Sequence, residues 1–150
     1  FIGLLKQILP FIHRVIKSVS FNDGGDDSMF EVKKSKYGRG IFAIRDIKKG
    51  ELIHEAPVII SSKDEYKYLK KTIMIEYVFW WGEDLDECAL ALGYGSLFNH
   101  SYTPNALYKL NLKNQTIDIY AYRDIKKGDE ILINYNGDPE DDEPMWFDVF

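Results

Sequence analysis

The sequence predicts a mostly β domain with short helices. Three observations carry this: many apolar runs of four to nine residues, turn residues between them, and β-branched and aromatic side chains concentrated inside them. Phe30 to Lys34 and Ile41 to Ile44 read as strands flanking a turn at Tyr37-Gly38-Arg39-Gly40. Leu52 to Ile60 reads as a strand broken at Pro57. Asp64 to Lys71 opens on an acid and closes on lysines, as a short helix prefers. Ile73 to Trp81 is long and apolar, suited to a buried strand or helix. Ala106 to Leu112, Thr116 to Tyr122 and Glu130 to Tyr135 complete the strands.

Residues 1–28 stand apart. Apolar residues from Phe1 to Val19 recur at helical spacing among Lys6, His13, Arg14 and Lys17, and Pro10 interrupts them. These charges make a poor membrane span. A surface-seeking helix, a partner-docking helix, a helix packed on the domain, and a leader or fusion remnant all stay open. Asn22 to Ser28 reads as a linker, so residues 29–150 form the expected domain, closed by an acidic and aromatic tail.

The 150 residues suffice for one compact domain. A net charge of -5 disfavours direct nucleic-acid binding, which needs a clustered basic surface. Acids crowd the C-terminus from Asp138 to Asp148; they either attract a basic peptide or form a solvated tail. One cysteine, Cys88, excludes an internal disulfide and a cysteine-rich zinc cluster, and the three histidines lack ligand spacing, so no metal is expected.

Arg45-Asp46-Ile47-Lys48-Lys49-Gly50-Glu51 recurs as Arg123-Asp124-Ile125-Lys126-Lys127-Gly128-Asp129. In each copy the Asp can cap a helical turn and the Gly can end it. Reuse of turn chemistry explains the echo better than a repeated function.

Three stretches, in order, resemble the SET-domain family. They are Gly38-Arg39-Gly40 with Ile41-Phe42-Ala43 and Ile47 to Ile53; Phe98-Asn99-His100-Ser101-Tyr102-Thr103-Pro104-Asn105; and Gly128 to Tyr135. The resemblance covers about residues 29–147 and is closest to minimal SET proteins without zinc modules. It implies a SET fold, with small sheets around a threaded, pseudoknot-like C-terminal segment that brings Asn99 beside Tyr135. It further implies S-adenosylmethionine-dependent methylation of a protein lysine, in an intracellular setting, nuclear or cytoplasmic. The substrate would be a basic protein or peptide, a histone tail among the candidates. A catalytically inactive peptide-binding or scaffold protein is the alternative.

The same resemblance assigns residues. Gly38, Arg39 and Gly40 would approach the cofactor, although the tripeptide alone reads as a hairpin turn. Asn99, through its amide, and His100, through its backbone, would hold it; alone they read as a polar loop. Tyr135 would sit at the transfer point, orienting the amine, where a packed strand tyrosine is the plainer reading. Tyr108 would limit methyl number, Tyr77 and Tyr94 would line the lysine channel, and Trp146 would cover the adenine. Asn134 replaces the Asp or Ala of many members, and Gly137 stands where some carry a second tyrosine, which leaves channel shape and methylation state open.

Overall fold

The computed structural model describes residues 28–145, so the expectations for residues 1–27 and for Trp146 lie outside the described residues. The chain forms β1 (Phe30–Ser35), β2 (Gly38–Ala43), β3 (Leu52–Ser61), α1 (Tyr66–Leu69), a 3₁₀ turn at Ile73–Tyr77, β4 (Val78–Trp81), β5 (Glu87–Ala91), a second 3₁₀ turn at Gly95–Leu97, β6 (Asn99–His100), β7 (Ala106–Asn111), β8 (Thr116–Ala121) and β9 (Leu132–Ile133). β1 and β2 form a hairpin, five strands form an antiparallel sheet in the order β4-β5-β3-β8-β7, and β6 lies parallel to β9. The domain is thus mostly β with short helices.

The core is a set of isoleucines and alanines closed by Phe98 and Trp81. Ile41, Ile47, Ile117, Ile119, Ile125, Ile131 and Ile133 are all buried, and they come from both halves of the chain. Burying such side chains stabilises by roughly 1.5–3 kcal/mol each. They lock the hairpin, the sheet and the C-terminal motif into one unit.

Several boundaries differ from expectation, for identifiable reasons. Gly38, Arg39 and Gly40 belong to β2 rather than to the turn, which tightens at Lys36 and Tyr37. β3 runs unbroken through Pro57. It pairs with β8 up to that residue and with β5 from Val58 onward, so the missing N–H falls where the ladder changes partner. Ile73 to Trp81 is not one buried element. It divides into a 3₁₀ turn, capped by the Thr72 hydroxyl accepting from the Met74 N–H, and the edge strand β4, leaving Ile73 and Trp80 exposed. The helix expected over Asp64 to Lys71 contracts to one turn, and β5 was not anticipated at all.

The repeated heptads clasp one another. Ile47 and Ile125 exchange backbone hydrogen bonds of 2.9 Å in both directions. Asp46 accepts from the Lys127 N–H at 3.0 Å and pairs with the Lys126 ammonium; Asp124 accepts from the Lys49 N–H at 2.9 Å and pairs with Lys48. Each Asp therefore caps the other copy's turn, not its own as the sequence suggested. Within each copy the last acid, Glu51 or Asp129, takes the N–H of Lys48 or Lys126.

Candidate functional site

The clasp carries the C-terminal motif alongside the central block. Asn99 stands opposite Leu132 and His100 opposite Ile133. Asn105 fixes this pairing: its Nδ2 donates to the Glu130 carbonyl at 2.8 Å, and its Oδ1 accepts from the Leu132 N–H at 2.8 Å. One amide side chain thus supplies two ladder-like bonds where the strand ends. The parallel pairing is consistent with the expected threaded path.

Two features meet at Tyr135. The first is an aromatic cleft of about 80 Å³, lined by Tyr77, Val78, Phe79, Trp80, Phe98, Tyr108 and Tyr135, with Glu76 and Ser96. The Tyr135 hydroxyl donates to the Phe98 carbonyl at 2.9 Å. Its pKa is pushed up to about 12, first by burial and then by the neighbouring Tyr77 and Glu130. Tyr108 packs edge-on against Phe79, its hydroxyl makes a long 3.5 Å contact to the Tyr135 carbonyl, and burial raises its pKa. A Cβ at Gly137 would stand 3.4 Å from that hydroxyl, so the chain passes close beside Tyr108 there.

The second is a polar cradle beside the hairpin. The Tyr135 N–H donates to His100 Nδ1 at 3.1 Å, tying the cleft to the cradle strand. The Asn99 amide donates to the Arg39 carbonyl at 3.1 Å and to Glu130 Oε1 at 2.7 Å. A Cβ on Gly40 would fall 2.2 Å from Glu130 Oε1 and 2.9 Å from Asn99 Nδ2, so only glycine lets these groups close up.

The structure brings together Tyr135, Tyr108 and Tyr77 in the cleft, and Arg39, Gly40, Asn99 and His100 along the cradle; Gly38 opens β2 opposite Ser35, with open space where a Cβ would stand. Tyr94 is placed elsewhere. It caps the second 3₁₀ turn, packed against Phe30 at 5.5 Å and His54 at 6.0 Å between ring centres, and it does not line the cleft. Sequence reading missed Phe79, Trp80, Phe98 and Glu76, all of them cleft residues. Phe98 adjoins the Asn99-His100 pair and was within reach. β4 was masked by its resemblance to a buried element. Between Asp138 and Met145 the acidic segment folds back: the Asn134 amide donates to the Asp141 carbonyl and the Tyr102 hydroxyl accepts from the Met145 N–H.

A polar cradle closed over a glycine and an aromatic cleft thus adjoin at one tyrosine, Tyr135, in a small β domain. The SET domain model matches residues 38–136, and the chain belongs to that family. It is 37% identical over 112 residues to a histone-lysine N-methyltransferase of Schizosaccharomyces pombe, H3 lysine-37 specific, covering 74% of this chain and 71% of that protein. It is 32% identical to an H3 lysine-4 specific histone-lysine N-methyltransferase of Cryptococcus neoformans, covering 70% of this chain but 8% of that much longer protein. A crystal structure of a Plasmodium falciparum protein, described as a histone methyltransferase, superposes with a TM-score of 0.56 at 33% identity, over 73% of this chain and 94% of that one.

S-adenosylmethionine, the cofactor that the family implies, carries a cationic sulfonium and an α-ammonium. The residues present fit it. Asn99 Oδ1 accepts no hydrogen bond from any described residue, the Glu130 carboxylate adds negative charge beside it, and Gly40 lets that carboxylate close on Asn99.

Proposed function

We propose that the chain transfers methyl groups from S-adenosylmethionine to the ε-amine of a lysine in a basic protein, with histone tails as the substrate class. The observation that carries this is Tyr135, whose ring lines the aromatic cleft while its backbone is bonded to His100 of the cradle. Bound S-adenosylmethionine supplies an electrophilic methyl group, and the protein's part is to align a neutral amine with it.

The cleft receives the lysine stem between Phe79, Phe98, Tyr77 and Tyr108, and aromatic faces attract the ammonium as it enters. Desolvation there lowers the amine pKa from its ordinary value of about 10.4, favouring loss of the proton to water at the mouth. Tyr135 does not act as the base. With its pKa at about 12 it stays protonated, and its O–H is committed to Phe98. Its oxygen acts on the amine as an acceptor, turning the nitrogen lone pair toward the cradle. Asn99, with the glycines of β2, holds the cofactor. Exposed carboxylates at Asp138, Glu140 and Glu143 suit a basic tail, and the setting is intracellular.

The test combines calorimetry with S-adenosylmethionine and an array of lysine-bearing basic peptides read by mass spectrometry. Cofactor binding with methyl groups added to lysine is expected. Cofactor binding without transfer to any peptide or histone would favour a scaffold instead, and no binding would remove the reading.

A further inference from the structure

Among the described residues Glu130 is the one carboxylate inside the cradle, and it joins three separate elements. Its Oε2 accepts from the hydroxyl of Ser35, a buried residue at the end of β1, and its Oε1 accepts from Asn99 on β6 at 2.7 Å. That same oxygen fills the space left by the missing side chain of Gly40 on β2. The consequence for Asn99 is chemical. A carboxamide has two N–H hydrogens and one acceptor oxygen. Both groups facing the nitrogen, the Arg39 carbonyl and the Glu130 carboxylate, are acceptors, so the amide cannot be turned around without setting oxygen against oxygen. Asn99 therefore presents only Oδ1, which has no donor among the described residues. Without the carboxylate only the longer bond to the Arg39 carbonyl opposes that turn, and a turned amide presents a donor, which repels an ammonium.

We propose that Glu130 is a positioning residue for the cofactor, holding Asn99 in the one orientation that accepts from the α-ammonium of the methionine portion. This rests on the methyltransferase reading above. Two alternatives are distinguished from it by experiment: a purely structural Glu130, and one acting by its charge alone.

The probe is S-adenosylhomocysteine, which keeps the ammonium but lacks the sulfonium charge. Its dissociation constant is measured by calorimetry for the unmutated protein, Asn99→Ala, Glu130→Ala, Glu130→Gln and the double variant Asn99→Ala/Glu130→Ala, each checked by its melting curve. Glu130→Met, which keeps the volume without the acceptor, replaces the alanine change should that variant fail to fold. Asn99→Ala and Glu130→Ala are each expected to weaken binding about ten- to a hundredfold, the range of one hydrogen bond to a charged group. The double variant should be no more than about twofold weaker than Asn99→Ala, because Glu130 acts through Asn99. Glu130→Gln should stay within about threefold of the unmutated protein, since its carbonyl can still accept from Asn99 while its amide donates to Ser35. Unchanged binding by Glu130→Ala, losses that multiply in the double variant, or a glutamine variant as weak as the alanine one would each overturn the proposal. Failure of the unmutated protein to bind either S-adenosylmethionine or S-adenosylhomocysteine would instead remove the reading of the site.

Discussion

The clasp of the two heptads and the cleft around Tyr135 use their polar groups in opposite ways. In the clasp Asp46, Asp124, Glu51 and Asp129 each take a backbone N–H, and Ile47 and Ile125 are buried and bonded to each other. Its capping groups are matched within the chain. The cleft and cradle leave capacity unused. Among the described residues Glu76 has no ion-pair partner and Asn99 Oδ1 accepts from no donor, and Trp80 and Tyr77 keep 52% and 38% of their surface exposed beside the cleft. Leaving polar and aromatic groups unmatched costs stability, so it persists where a ligand completes them. The repeated chemistry builds the frame, and the unrepeated residues make the site.

The strongest way to break this division is to damage the frame alone. Ile125→Ala removes a fully buried side chain and is expected to lower unfolding stability by about 2–5 kcal/mol. Denaturant melts should show this, while calorimetry at low temperature gives nearly unchanged cofactor affinity. A large loss of affinity at full stability would mean that the clasp serves the site directly.

Tyr108→Phe sharpens the other side of the comparison. The Tyr108 hydroxyl sits close beside Gly137 at the cleft, where it can hold the amine or a water. Its removal is expected to shift the product from mono- or dimethyl-lysine toward higher methylation, by about tenfold, the equivalent of one hydrogen bond. Mass spectrometry of a methylated peptide reads this, and dominant trimethylation by the unmutated protein would deny Tyr108 any gating.

Acid should weaken the protein through His54 and His100. Burial holds both below the ordinary histidine value of 6.5. The unfolded chain therefore takes up protons that the folded one refuses, so this stability is complete above that value and is lost as pH falls below it. Melting temperature should drop between about pH 7.5 and 5.5, and His54→Phe should flatten the decline. A rise on acidification would contradict the assignment. The smallest change is expected for Asp46→Asn. That carboxylate is held below its usual range by the Lys127 N–H and then by Lys126, but it is exposed. A slight fall in melting temperature, shrinking further as salt rises, is the expected result.

Much of the frame and part of the site were legible in the sequence. The heptad echo, the Asn99 to Asn105 block and the Gly128 to Tyr135 motif are local patterns, and each occupies the neighbourhood expected of it. What escaped depends on tertiary placement. Nothing local says that Asp46 caps the distant turn at Lys126-Lys127, or that Pro57 falls where β3 changes partner. An edge strand that keeps its aromatics exposed beside a cleft reads the same as a buried one, and so Phe79 and Trp80 were hidden in an apolar run. Tyr94 shows the converse: the resemblance put it in the lysine channel, but Gly95 packs so close to Ala56 and Ala91 that the turn is seated on the sheet and Tyr94 faces Phe30 and His54.

The most direct measurement is a pairing of single-turnover methyl transfer with cofactor affinity for Tyr135→Phe. Loss of one aligned hydroxyl should slow transfer about a hundredfold or more. Affinity for S-adenosylmethionine and the melting temperature should stay close to those of the unmutated protein. Full turnover in Tyr135→Phe would contradict the assignment of Tyr135 to the transfer point.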